Sequence, residues 1–204
     1  MQVKQPQLQI ARSYTPLPET PDTADGQIRF LVKNEPRGEM SRYLFSLRVG
    51  DLVFLRGPML EYIYPSDGAD RKVLFLAGGT GVAPALQVAG NTLAGKVEVL
   101  WAVRNQEEAQ GTVGEEIRRI AEAASGRVEV KVFVDGQNGI SFQDIAKAMD
   151  GEKLTVLVSG PDGFVKWAAG EKEWRQGKEE QGPLGGVVRK ALERRDHEVE
   201  VFKL

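Results

Sequence analysis

The chain has 204 residues, enough for one large domain or two small ones with a proper core. Its 27 basic and 29 acidic residues leave a formal net charge of −2, which gives no electrostatic case for binding nucleic acid. With no cysteine and one histidine, His197, the chain has no disulfide, thiolate catalyst, Cys-ligated metal or His-rich metal site, so its chemistry comes from a borrowed organic cofactor or from carboxylates and hydroxyls. No apolar run approaches the roughly 20 residues that span a bilayer. The first residues, Met1 to Pro6, lack the apolar core of a secretory signal.

The first third reads as strands and turns. Gln27 to Val32 and Leu52 to Leu55 are short, apolar and β-rich, and Pro16, Pro18, Pro21, Gly26, Gly38 and Gly50 punctuate them. Between them Ser41 to Leu47 has helical spacing, with Ser41 as the expected N-cap. The polar turn Asp67-Gly68-Ala69-Asp70 is the expected link, dividing the chain into domains at 1–69 and 70–204. Beyond it strands and helices alternate. Lys72 to Ala77, Val97 to Val103, Val128 to Val134, Thr155 to Ser159 and Val199 to Phe202 read as strands. Gly114 to Ala124, Phe142 to Met149, Gly163 to Ala169 and Leu184 to Arg194 read as helices. Alternation of this kind predicts a doubly wound parallel sheet. The charged stretch Gly170 to Gly182 reads as a solvated surface loop. The predicted architecture is a small β domain followed by an open α/β domain, and a cleft between two domains is a common seat for a cofactor.

Three segments carry candidate chemistry. In Gly78-Gly79-Thr80-Gly81, followed by Val82-Ala83-Pro84, an apolar strand runs through glycines into a helix. Such a turn lets backbone N–H groups approach a phosphate at the helix N-terminus. It equally describes a tight turn that binds nothing, and it is not the G-x-G-x-x-G fingerprint. Arg12-Ser13-Tyr14-Thr15-Pro16 offers a guanidinium fork for pyrophosphate, a flat ring and hydroxyls; alone it reads as an edge strand with alternating polar residues. Gly38-Glu39-Met40-Ser41 is a second potential phosphate seat and, alone, an ordinary helix start.

Read in order, Arg12 to Pro16, Leu31-Val32-Lys33, Gly38 to Ser41, Arg56-Gly57-Pro58 and Gly78 to Pro84 resemble the cytochrome b5 reductase branch of the ferredoxin-NADP reductase superfamily. Val158-Ser159-Gly160-Pro161 stands where that family has a strand ending in Cys-Gly-Pro. The resemblance covers nearly the whole chain. It implies an antiparallel β-barrel that binds FAD, followed by a doubly wound parallel-sheet domain that binds NADH or NADPH. By that similarity Arg12 meets the FAD pyrophosphate, Tyr14 lies against the isoalloxazine and Thr15 hydrogen-bonds near flavin N5. Val32 and Lys33 run past the ribityl chain, and Gly38, Met40 and Ser41 form the pyrophosphate loop. Gly78, Gly79, Thr80, Gly81 and Pro84 cradle the nucleotide, Thr80 close to the meeting of nicotinamide and flavin. Ser159, Gly160 and Pro161 line the nicotinamide pocket. Tyr14, Thr15 and Thr80 are thus the candidate catalytic residues, and no metal is expected. Arg104, after the second strand, is a candidate for the adenosine end, where an arginine can meet a 2′-phosphate or stand as a solvated cation.

The implied activity is NAD(P)H oxidation through flavin, with electrons passed to a haem protein or similar acceptor. The alternative is a non-catalytic descendant that keeps the two-domain scaffold as an assembly factor. Three departures from the family bear on this. Only 11 residues precede Arg12, where the family places about half of its barrel, so the barrel is expected to be incomplete here. Ser159 replaces the family cysteine. The region after Pro161 is longer than in cytochrome b5 reductase, and the chain ends Val201-Phe202-Lys203-Leu204. The tail from Gly160 to Gly186 is similar to a fungal mitochondrial subgroup associated with attaching haem to cytochrome c. That similarity implies an inner-membrane flavoprotein facing the intermembrane space, its mitochondrial address and membrane anchor carried by a region absent from this chain. Trp167 and Trp174 are expected to be packing residues, Glu193 to Asp196 an exposed helix end, and His197 a structural or surface histidine.

Overall fold

The computed structural model describes residues 1–19, 26–64, 71–90, 95–124, 126–151, 153–193 and 198–204. They form two compact units, Met1–Glu61 and Tyr62–Leu204. The link expected at 67–70, the division at 69/70, Arg194 to Asp196 and His197 lie outside the described residues. Among the described residues no helix is long and apolar enough to cross a membrane.

The first unit opens with a hairpin. Strands β1 (Gln2–Gln5) and β2 (Ile10–Ser13) pair antiparallel with Val3 opposite Arg12, and β3 (Phe54–Arg56) pairs with the other side of β1. Alternation buries Val3 and Gln5 and turns Lys4 outward. Tyr14 is fixed just past β2 by two backbone bonds to Met1, at 2.8 and 3.0 Å. The strand expected over Gln27 to Val32 does not form. That segment meets its neighbour through the bridge of Pro16 to Phe30, a backbone bond from Leu17 N–H to the Arg29 carbonyl at 2.8 Å and a bond from the Arg29 guanidinium to the Pro18 carbonyl at 3.0 Å.

Helix α1 spans Glu39–Ser46, and its N-cap is Gly38 rather than Ser41. Ser41 sits one turn inside, buried, where its hydroxyl reaches the Gly38 carbonyl at 3.1 Å and the Glu35 carbonyl at 3.2 Å. The three-residue spacing back to Gly38 suits bonding to the preceding turn better than capping. A Cβ on Gly38 would lie 2.6 Å from the Ser41 hydroxyl, which accounts for glycine at the cap.

The second unit holds a five-stranded sheet in the order β10–β7–β4–β5–β6, every neighbouring pair parallel. The strands are β4 (Lys72–Gly78), β5 (Val97–Val103), β6 (Val128–Val134), β7 (Lys153–Ser159) and β10 (Glu198–Lys203). Central strands are covered on both faces, and Val73 to Ala77 and Leu154 to Val158 are accordingly buried apolar runs, broken only by Thr155. Helices α5 (Phe142–Ala148), α6 (Asp162–Ala169) and α7 (Gly186–Leu192) cover one face around Leu74, Leu76, Leu100, Val156 and Val158. On the other, α2 (Val82–Gly90) packs on β4 and β5, and α4 (Thr112–Ala123) packs on β6. Burial of each such Leu, Ile or Val is worth about 1.5–3 kcal/mol. Chain direction across the sheet reverses between β4 and β7, and the crevice outside the carboxyl ends of those strands is where open α/β sheets bind ligands.

Two elements differ from expectation. A short helix, α3 (Gln106–Gln110), follows β5, capped by the Asn105 side chain, which accepts from the Glu108 N–H at 3.0 Å. The stretch expected to be a solvated loop carries a hairpin, β8 (Glu173–Arg175) with β9 (Lys178–Glu180). Gln176 and Gly177, with φ of 50° and 77°, make the two-residue turn whose twist suits paired strands.

Candidate functional site

At the end of β4 the chain enters a single 3₁₀ turn, Gly79–Gly81, and then α2. Gly79 takes φ of +54°, which glycine adopts without steric cost. Its carbonyl accepts the indole N–H of the buried Trp101 at 2.9 Å, tying the turn to β5. The turn at the end of β7 lies directly against it. A Cβ on Gly81 would sit 2.4 Å from the Ser159 carbonyl oxygen and 2.7 Å from the Gly160 nitrogen. A Cβ on Gly160 would sit 3.1 Å from Gly78, and one on Gly78 would meet the Phe164 ring at 2.8 Å. Gly78 and Gly81 are therefore required by packing, and Gly160 by its φ of +158° together with the close approach of Gly78. Gly79 differs: a Cβ there would meet nothing within 4 Å, and Thr80 beside it is exposed.

Five of the expected nucleotide residues, Gly78, Gly79, Thr80, Gly81 and Gly160, are thus gathered at the switch point by close backbone contact, with Ser159 and Pro161 in the same turn. The Ser159 side chain is buried, and the Pro161 carbonyl accepts the first N–H groups of α6, from Phe164 at 2.8 Å and Val165 at 3.1 Å. The first turn of α2 contains no acidic residue and includes Pro84, so nothing there opposes an anion. Arg104 follows β5 on the same edge of the sheet as Gly78, with its side chain exposed. Its backbone N–H is taken by the Glu108 carboxylate at 3.1 Å.

In the first unit Tyr14 and Val32 line an apolar groove of about 490 Å³ together with Val3, Phe30, Leu44 and Leu55. Tyr14 packs edge-on against Phe30 with ring centroids 6.4 Å apart. Burial pushes its phenol up from the ordinary value, against the opposing charge of Arg12. Arg12 itself is exposed, its guanidinium donating to the Ala11 carbonyl at 2.9 Å, and it does not line the groove. Thr15 is half-buried, and Lys33 stands 4.0 Å from the Glu35 carboxylate. Met40 is core, so at the start of α1 only backbone is left to meet a ligand, because the Ser41 hydroxyl already serves the 35–41 loop. Arg12 and the Gly38–Ser41 start of α1 are therefore not part of one lining with Tyr14 and Val32, to which α1 contributes Leu44 from its last turn.

Trp101 and Phe164, which hold the glycine turn from below, escaped the sequence reading. Both lie in runs that read simply as core, and their hydrogen bond and close glycine contact depend on strand pairing.

Comparison with known proteins finds two oxidoreductase domain families in the chain. An oxidoreductase FAD-binding domain family matches residues 1–64, and an oxidoreductase NAD-binding domain family matches residues 75–169. The chain is similar to NADH-cytochrome b5 reductase 2 of Yarrowia lipolytica, 27% identical over 194 residues that cover 88% of this chain and 65% of that protein. It therefore spans just under two thirds of that relative's length. It is also similar to the cytochrome c mitochondrial import factor CYC2 of Saccharomyces cerevisiae, 23% identical over 257 residues, covering 93% of this chain and 68% of the relative. Among solved structures, ferredoxin-NADP+ reductase from Plasmodium falciparum with 2'P-AMP aligns with a TM-score of 0.62 at 13% identity, covering 98% of this chain and 80% of that one, a likeness of fold.

Proposed function

From a chain that belongs to the cytochrome b5 reductase and ferredoxin-NADP reductase superfamily, with an FAD-binding domain ahead of an NAD-binding domain, we propose an NAD(P)H-dependent flavoprotein reductase that delivers electrons to a haem protein. The observation that carries this reading is the glycine turn of β4 packed backbone-to-backbone on the Ser159–Gly160 turn at the switch point of the sheet. Such a seat suits a pyrophosphate with its attached rings, because backbone can approach where a Cβ would stand in the way.

Each unit has its task. In the second, Gly79 and Thr80 offer the open edge of the turn to the nucleotide, Gly160 and Pro161 border its nicotinamide end, and Arg104 stands toward its adenosine end. In the first, Tyr14 and Val32 supply an apolar wall of the right character for a flat ring system. Arg12 offers a guanidinium to the pyrophosphate, Thr15 a hydroxyl near the reacting nitrogen, and Lys33, Gly38 and Met40 contribute through backbone. Ser41 contributes indirectly, by holding the 35–41 loop in shape. FAD, when bound, supplies acceptance of a hydride and its release as single electrons. Little acid–base work falls to the protein, which has to orient two rings and exclude water.

The Saccharomyces relative, named as a cytochrome c mitochondrial import factor, supports a mitochondrial setting and a c-type cytochrome as the acceptor. Absorbance tests the reading. Protein purified and supplied with FAD should hold a flavin band near roughly 450 nm that bleaches on adding NADH or NADPH and returns when ferric cytochrome is supplied. A protein that takes up no flavin, or whose bound flavin neither nucleotide bleaches, refutes it.

A further inference from the structure

The outer edge of the five-stranded sheet, at β6, lies away from the crevice between β4 and β7. Among the described residues β6 pairs with β5 alone. In a parallel ladder alternate residues turn their N–H and carbonyl to the same neighbour. At one end of β6 the Arg127 carbonyl accepts the Val97 N–H at 2.8 Å, and at the other the Asp135 N–H donates to the Val103 carbonyl at 2.8 Å. Odd-numbered residues between them therefore face β5, and Val128, Val130, Val132 and Val134 present their backbone groups outward. Val134 is already used, since its N–H donates to the Asn138 side chain at 2.9 Å. The edge from Val128 to Val132 is left open to another strand, and the Val132 side chain beside it is 37% exposed.

Along that edge, between β6 and α4, runs a groove of about 300 Å³. Val130 and Val132 line it from the strand, and Ile117, Arg118, Ala121 and Glu122 from the helix. Arg118 and Glu122 are both exposed. A lysine on an edge strand usually turns other strands away. Here Lys131 is held by Glu98 at 2.7 Å and Glu129 at 3.3 Å, so its charge is compensated within the chain.

We propose that β6 pairs antiparallel with β6 of a second copy of this chain, continuing the sheet across a two-fold axis at Val130. Charge and free backbone groups select that register. An axis at Lys131 would set the lysine against its own copy, and like charges directly opposite destabilise. An axis at Val132 would need the Val134 N–H, which Asn138 occupies. With the axis at Val130, Val130 faces itself and Val128 faces Val132, all through outward-turned backbone groups. Glu129 then meets Lys131 in both copies, at the close, non-hydrogen-bonded positions where cross-strand side chains interact most. The same two-fold brings the two grooves side by side, so that Arg118 of each copy faces Glu122 of the other. Such self-complementarity is what an isologous interface requires.

Sedimentation equilibrium of the full chain over roughly 10–500 µM, where weak interfaces populate, should show a reversible dimer of twice 22.4 kDa. Arg118→Glu should weaken it about tenfold, because the symmetry makes each clash twice, and adding Glu122→Arg should restore it to within about threefold of wild type. Both positions are exposed, so these variants should melt like wild type. Hydrogen exchange reads the pairing directly: the Val130 and Val132 amides should exchange about tenfold more slowly in the dimer than in dilute protein. A mass of 22.4 kDa throughout the range leaves the edge to some other chain and overturns the proposal. So does a dimer that Arg118→Glu leaves as tight as wild type, a loss that the paired exchange does not restore, or a dimer in which the Val130 and Val132 amides stay unprotected.

Discussion

Replacing Gly81 with alanine separates a glycine needed for packing from one needed for conformation. Gly81 is not among the glycines with positive φ, so its backbone accepts alanine. Propensity alone would favour the change by up to about 1 kcal/mol. The added Cβ would lie 2.4 Å from the Ser159 oxygen, 2.5 Å from its carbonyl carbon and 2.7 Å from the Gly160 nitrogen. The contact with the oxygen is roughly 1 Å too close for carbon and oxygen, and every offending atom is backbone, so no side chain can swing aside. Overpacking of this kind costs about 1–3 kcal/mol. A net loss of about 2 kcal/mol, with a urea m-value of about 2 kcal/mol/M, moves the midpoint of the second unit down by about 1 M. Relief of the clash also drives apart the two turns that seat the nucleotide, so its KM should rise tenfold or more.

Gly79→Ala is the paired control. It meets no neighbour but has φ of +54°, which costs a non-glycine residue about 1–2 kcal/mol. Gly79→Asn should recover part of that loss, since asparagine tolerates this region better. Urea unfolding and nucleotide kinetics on the three variants give the ranking. A wild-type midpoint and KM for Gly81→Ala, with Gly79→Ala the worse of the two, would refute the contact between the turns.

The Glu98 carboxylate, buried between Lys131 at 2.7 Å and Lys72 at 2.8 Å, gives a pH test. Burial works against its charge, but hydrogen bonds from Lys131 and Lys72 outweigh that and hold it below the ordinary carboxylate range. The stability it contributes is complete above the unfolded value near about 4.3 and is lost as pH falls through the lower folded value. Lys72 keeps Asp150 and Lys131 keeps Glu129, so Glu98→Gln should cost only about 1–2 kcal/mol at pH 7, and should flatten the acid limb of a stability–pH curve; an acid limb identical to wild type would contradict this. Trp101→Phe removes the bond to the Gly79 carbonyl and should cost about 1–2 kcal/mol in urea unfolding. It should also raise the KM for nucleotide several-fold with little change in the KM for the acceptor. Gly114→Ala, normally stabilising in a helix, should destabilise by about 2 kcal/mol or more in thermal melts, because its Cβ would fall 1.7 Å from the Ala109 carbonyl oxygen.

The α/β unit was legible because its sheet is buried on both faces. Val97 to Val103 was delimited to the residue as a buried, mainly apolar run, and Val128 to Val134 as an edge strand whose valines alternate with Glu129, Lys131 and Phe133. The first unit was harder. Gln27 to Val32 has strand composition, but strand formation depends on how far a partner runs alongside, and here the pairing is the single Pro16–Phe30 bridge, which composition does not reveal. Ser41 has the chemistry of an N-cap, yet Gly38 leaves space for its hydroxyl to fold back, and that space is a property of the loop rather than of the local pattern. The β8–β9 hairpin was hidden because Gln176-Gly177 is a weaker turn signal than Asn-Gly, and charged residues at Glu173, Arg175, Lys178 and Glu180 obscure strand alternation.

The candidate site divides along the same physical line. Its glycines could be read as a phosphate-approaching turn, but the letters alone cannot separate a glycine that makes room for ligand from one that makes room for its own chain. Gly78, Gly81 and Gly160 belong to the second kind, since carbonyl, amide or ring atoms already occupy the space a methyl would take. Only Gly79 faces open space. The three packed glycines let two strand ends meet without side chains between them, so that the amide-bearing edge at Gly79 and Thr80 stands at the reversal of the sheet, held there by Trp101. On the proposed reading this turn is shaped before any ligand arrives, and nucleotide affinity should depend more on Gly81 and Trp101, which fix the turn, than on the exposed hydroxyl of Thr80.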